Sequence, residues 1–153
     1  MPHIVGTSLG GMIAESDAAK YPLHLNSLTI VNSVYPERTR MMSIFLFLKT
    51  ARIYKEERLR YLREGKYSAD RNEMLKMRSA IGGFEADLSN VSVPVLVISG
   101  SNELKIMQSQ SDTLERNLGA QRVIIPQSKH HPNLENPEAF NKTLEDFLRG
   151  EHG

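Results

Sequence analysis

The run His3-Ile4-Val5-Gly6-Thr7-Ser8-Leu9-Gly10-Gly11-Met12-Ile13-Ala14 sets a serine between two glycines, after an apolar lead-in and before a helical continuation. A hydroxyl so placed reads as a nucleophile. The order is strand, sharp turn and helix, with Ser8 exposed at the turn in a G-x-S-x-G elbow. Gly6 and Gly10 are both expected to be required, because a side chain at either would collide across so tight a turn. The helix beyond Ser8 turns its unpaired N–H groups and positive end toward any oxyanion formed there, and the Leu9 N–H is the expected donor.

Two later segments carry an acid and a base. Val93-Pro94-Val95-Leu96-Val97-Ile98-Ser99-Gly100 is the strongest strand signal in the chain, and Ser101-Asn102-Glu103 follows it. Arg122-Val123-Ile124-Ile125-Pro126 is a second strand signal, followed by Ser128-Lys129-His130-His131-Pro132. Ser8, Glu103 and His130 thus each lie past the carboxyl end of an expected parallel strand, the side on which open α/β sheets place their sites. In that arrangement His130 takes the proton of Ser8, while Glu103 orients the imidazole and stabilises its charged form. Glu103 also admits a plainer reading, as a solvated turn residue. His3, His24, His131 and His152 show no spacing that suggests a metal site, and no dinucleotide or P-loop glycine pattern occurs, so neither metal nor cofactor is expected.

The elements needed to position these groups are legible as alternating patterns. Ile4-Val5 ends a strand, and a helix runs from about Leu9 to Tyr21, where Pro22 stops it. Leu28-Thr29-Ile30-Val31 reads as a buried parallel strand ending in the turn formers Asn32-Ser33. Helices are expected from about Met107 to Leu118, closed by Gly119, and from Pro137 to Leu148, with Asn136 as N-cap and Gly150 past the end. Strands separated by helices imply right-handed crossovers and a parallel sheet. On the first helix, Glu15 and Lys20 are expected to face solvent, which leaves Asp17 as the unusual charge.

Composition bounds the rest. The chain has 153 residues, net charge +1 and no cysteine. One domain with a sizeable core is expected, with no disulfide or thiolate site and no global electrostatic case for nucleic acid or a membrane surface. The longest apolar stretch, Ile44 to Leu48, is too short for a membrane span, and the N-terminus lacks a signal-peptide pattern, so a soluble cytoplasmic protein is the expectation.

With these motifs in place, the chain resembles the α/β-hydrolase superfamily, in its small esterase, lactonase and C–C hydrolase branch. Gly6-Thr7-Ser8-Leu9-Gly10-Gly11, Tyr21-Pro22, the Val93–Gly100 strand and the segment from His130 to Pro137 carry the likeness. The last is similar to that branch's H-x-x-x-x-E-x-P segment, whose first histidine is catalytic; this assigns the base to His130 and not His131. The resemblance implies a truncated α/β-hydrolase fold: a parallel sheet of about four strands with flanking helices and a helical cap insertion. A single domain follows, with residues 1–35 and 84–153 as sheet-and-helix core and 36–83 as cap.

Departures from the family pattern shape the functional expectation. Its triad acid is usually aspartate, and glutamate is a known variant. The strands that normally precede the elbow have no counterpart here, nor does the loop that supplies the second oxyanion N–H. Loss of one such donor costs roughly 3–4 kcal/mol, so any activity is expected to be weak. The elbow strand would also form a sheet edge, a hazard unless another strand pairs with it. That predicts a homodimer through the edge strand or a complementing N-terminal half.

Residues 37 to 78 hold twelve Lys/Arg against six Asp/Glu. They read either as a basic lid over the site or, in the plainer reading, as solvated amphipathic helix. The Met41–Leu48 apolar cluster reads as core or dimer surface in preference to an acyl pocket. Two functional expectations follow. One is a serine hydrolase acting on small carboxylic esters or related acyl compounds. The other is an inactive remnant of that fold serving as a dimeric or subunit-forming structural protein.

Overall fold

A computed structural model of the chain describes residues 1–36, 59–60, 63–65, 76 and 84–150. Four strands are present among these residues: β1 (His3–Thr7), β2 (Ser27–Val31), β3 (Val95–Gly100) and β4 (Gln121–Ile125). They form one parallel sheet in the order β1-β2-β3-β4. The described helices are α1 (Leu9–Lys20), α2 (Lys105–Leu118), a single turn α3 (Pro132–Glu135) and α4 (Pro137–Leu148).

Why these segments form these elements follows from their side chains. β2 and β3 are buried along their whole length, as expected for central strands of a sheet covered on both faces. Alternate residues feed opposite layers. Leu28, Ile30, Val95 and Val97 pack with Ala14 and Ala18 of α1 and Leu114 of α2. Val31, Leu96, Ile98 and Ile125 pack with Phe140 and Phe147 of α4 on the other face. Burying each large aliphatic side chain contributes about 1.5–3 kcal/mol, so this two-layer core holds the strand ends in register.

Element boundaries differ slightly from the sequence pattern. β3 starts at Val95 and not Val93, because Pro94 has no N–H to donate; its carbonyl still accepts from Leu28 N at 3.0 Å. α2 begins at Lys105, ahead of the expected Met107, with Leu104 O accepting from Met107 N and Gln108 N at 2.8 and 2.9 Å. It closes on Gly119 in the left-handed region (φ 59). Asn136 caps α4 through its side chain, accepting from Ala139 N at 3.3 Å.

One expectation is corrected outright. Glu15 does not face solvent: it is fully buried, while Ile13 on the same helix is 64% exposed and Lys20 is exposed. Position 15 falls on the stripe with Gly11, Met12, Ala14 and Ala18 that α1 turns inward. Helical phase decides this, because residues three and four apart share a face whatever their polarity.

The chain divides into two compact units, Met1–Pro36 with Ala86–Gly153, and Glu37–Glu85. The first contains the sheet. Most of the second lies outside the described residues, and with it the expected helical cap, its Met41–Leu48 cluster and its basic stripe. Among the described residues, no helix is long and apolar enough to cross a membrane.

Candidate active site

Three loops at the carboxyl ends of β1, β3 and β4 bring Ser8, Glu103 and His130 together. Ser8 Oγ lies 3.1 Å from His130 Nε2, and His130 Nδ1 lies 2.7 Å from Glu103 Oε2. As a carboxylate Glu103 can only accept, an assignment that puts the ring proton on Nδ1 and leaves Nε2 to accept from the Ser8 hydroxyl. Glu103 and His130 are both buried. The second carboxylate oxygen, Oε1, accepts the Leu104 N–H at 2.7 Å, which fixes the carboxylate plane. Glu103 is therefore not the solvated turn residue of the plainer reading.

Ser8 occupies a conformation that costs free energy. Its φ of 54 and ψ of −116 put a non-glycine residue outside the broad allowed regions, at an order of 1–3 kcal/mol. Surrounding bonds hold it there. Ser8 N donates to Val31 O at 2.9 Å, while Ser8 O accepts from Gly11 N, Met12 N and the Ser33 hydroxyl at 3.0, 3.2 and 3.0 Å. No acceptor among the described residues takes the Leu9 N–H, which leaves it available at the start of α1.

The glycines divide differently from the expected pair. A Cβ on Gly6 would overlap the Gly10 carbonyl, so the close approach of β1 to α1 requires glycine there. At Gly10 a Cβ meets nothing within 4 Å among the described residues, which corrects the expectation that it is sterically required. Gly11 takes that role instead, since a Cβ there would sit 2.5 Å from Ser33 Cβ.

Asn32 and Ser33 are site residues that sequence reasoning passed over as turn formers. Asn32 follows β2 with φ 43 and is 1% exposed. Its amide donates to the carbonyls of Lys129 and His130 at 3.0 and 2.9 Å, pinning the backbone of the histidine loop. The signal available was two polar residues directly after a fully apolar strand, at the sheet edge where sites form.

The acid and histidine loops also brace each other. Ser101 N donates to Ile125 O at 2.9 Å and Asn102 N to Ser128 O at 2.8 Å. Gln108 of α2 donates to Gly100 O at 2.6 Å, and Glu135 accepts the Lys129 N–H at 2.6 Å. Non-glycine residues at positive φ (Ser8, Asn32 and Gln127) stand just beyond β1, β2 and β4. Backbone strain thus collects around this rim. Among the described residues, no cluster of three His, Cys, Asp or Glu could hold a metal ion.

Comparisons with known proteins agree with this architecture. No family model matches the chain. It is similar to a serine hydrolase, BPHL, of Homo sapiens at 24% identity, covering 95% of this chain and 54% of that protein. Over 61 residues it is 36% identical to 2-succinyl-6-hydroxy-2,4-cyclohexadiene-1-carboxylate synthase of Serratia proteamaculans, covering 40% of this chain and 22% of that protein. A solved carboxylesterase of Nitrososphaera gargenis superimposes with a TM-score of 0.77 at 16% identity, covering 96% of this chain and 64% of that one. The chain thus spans about half the length of the human relative. Its fold is that of the α/β-hydrolases, represented here by four parallel strands and their helices.

Proposed function

We propose that this chain, a portion of the α/β-hydrolase fold, is a serine hydrolase acting on small carboxylic esters or related acyl compounds. The observation that carries the reading is the continuous line Ser8 Oγ–His130 Nε2–His130 Nδ1–Glu103 Oε2, with links of 3.1 and 2.7 Å. In the proposed reaction Ser8 Oγ attacks the acyl carbon as its proton passes to His130 Nε2. Glu103 stabilises the resulting imidazolium, which then protonates the departing alkoxide. Water, deprotonated by His130, attacks the acyl-enzyme, releases the acid and restores Ser8.

The Leu9 N–H supplies one oxyanion donor in this scheme. Within the family the second comes from a loop before the elbow strand, for which the described residues hold no counterpart; activity of the chain alone is therefore proposed to be weak. Loss of one donor corresponds to about a hundred- to a thousandfold in rate.

A fluorophosphonate probe tests the reading, since it labels only an activated serine. Labelling of the native chain, absent in Ser8→Ala, together with p-nitrophenyl acetate turnover above that of Ser8→Ala, is the expected result. An unlabelled native Ser8 with turnover equal to the variant's overturns it. That outcome favours the second reading, a catalytically silent subunit. Its support is that β1 pairs on one side only among the described residues, an arrangement suited to pairing with a second copy or a complementing chain.

A further inference from the structure

Glu15 is a carboxylic acid placed where an ordinary carboxylate is not stable. It is 0% exposed, and neither carboxyl oxygen has a hydrogen-bond partner. Burial, the larger effect, pushes its pKa well above the usual carboxylate range, against the opposing effect of the neighbouring Ser33 hydroxyl. That hydroxyl gives its proton to Ser8 O at 3.0 Å, so it has none left to offer a carboxylate, only lone pairs for a donor. Among the described residues, no other titratable group neutralises Glu15. On the elements packed against α1 these are His3, bound to Ser27 Oγ at 2.7 Å, Tyr21, His24 and Asp87; on α1 itself they are Asp17 and Lys20. None makes a hydrogen bond to the Glu15 oxygens.

We propose that Glu15 is a positioning residue for the elbow: as the neutral acid it donates its proton to Ser33 Oγ, which in turn holds the Ser8 carbonyl. The proposed relay has two links, Glu15 O–H to Ser33 Oγ and Ser33 O–H to Ser8 O. The second is a hydrogen bond of 3.0 Å in the structure, and the first forms when the Glu15 carboxyl turns toward Ser33, which stands against Gly11 one helical turn earlier on the same face. It acts on the residue whose backbone is strained, and Gly11 leaves Ser33 the room to reach it. Ionisation of Glu15 removes the donor, frees Ser33 to turn toward the new charge and slackens the turn. The idea rests on the reading of Ser8 as nucleophile only for its catalytic consequence.

Nuclear magnetic resonance of isotopically labelled protein tests it without any activity. The Glu15 carboxyl carbon should report the protonated acid at neutral pH. The Ser8 and Leu9 amide resonances should then shift with its midpoint as pH rises, and Glu15→Gln, a neutral donor, should abolish that shift. In parallel, Glu15→Leu should slow fluorophosphonate labelling about tenfold, the scale of one lost hydrogen bond, while Glu15→Gln stays within about threefold of native. If Glu15→Leu fails to fold, the Gln variant carries the test alone. A Glu15 carboxylate at neutral pH, or Ser8 and Leu9 resonances indifferent to its titration, overturns the proposal. A silent Ser8 in a protein whose amides do follow Glu15 overturns only the hydrolase reading.

Discussion

Asn32 and His130, 98 positions apart in sequence, are joined by a 2.9 Å hydrogen bond from the Asn32 amide to the His130 carbonyl. The same amide reaches Lys129 O at 3.0 Å, so one side chain after β2 holds two consecutive peptide units of the histidine loop. The imidazole that meets Ser8 is thereby anchored through its own backbone, by a residue that follows β2, the strand between those that lead to Ser8 and Glu103.

Removing that anchor should therefore loosen the site before it unfolds the sheet. Asn32→Ala leaves two carbonyls without their donor and is expected to cost about 1–3 kcal/mol in denaturant unfolding. Asn32→Asp should be worse, because it sets a carboxylate against both carbonyls. Unchanged unfolding midpoints for both variants would show that the clamp contributes nothing.

Glu103 is the second target. Glu103→Gln keeps the shape but loses the negative charge, and its amide can present an N–H to His130 Nδ1 and favour the wrong tautomer. Labelling of Ser8 should fall by on the order of 10³–10⁴-fold with little change in fold, as measured by circular dichroism. A loss under about tenfold would remove Glu103 from the proposed role.

The glycines around the elbow make a sharper contrast. Gly6→Ala and Gly11→Ala force overlap with the Gly10 backbone and with Ser33, and both should lower the melting temperature markedly. Gly10→Ala meets open space among the described residues and should be neutral or stabilising by up to about 1 kcal/mol, since alanine favours a helix. Equal destabilisation by all three substitutions would contradict this division.

Stability should also fall with rising pH on account of Glu15. Its folded pKa is raised above the unfolded value, so the native state binds the extra proton. The contribution is complete below the ordinary glutamate pKa and declines from there upward through the raised one, at no more than about 1.4 kcal/mol per pH unit. Urea unfolding of the native chain and of Glu15→Gln across that range should differ by this slope. Parallel curves would show that Glu15 ionises without cost.

Much of this protein is written locally. The turn at Gly6-Thr7-Ser8 and the β-branched runs of β2, β3 and β4 are short-range signals, and each survives in the structure because a strand or helix is set by neighbours a few residues away. What only the tertiary structure decided are the relations between distant segments. Gly11 and not Gly10 is the tight glycine because Ser33 arrives from β2. Glu15 is inward because the phase of α1 against the sheet puts it there, although its charge argues for solvent. Asn32 is a clamp because β2 ends beside the histidine loop. Periodicity specifies which face an element turns inward; what waits on that face depends on contacts that the pattern of one segment does not contain.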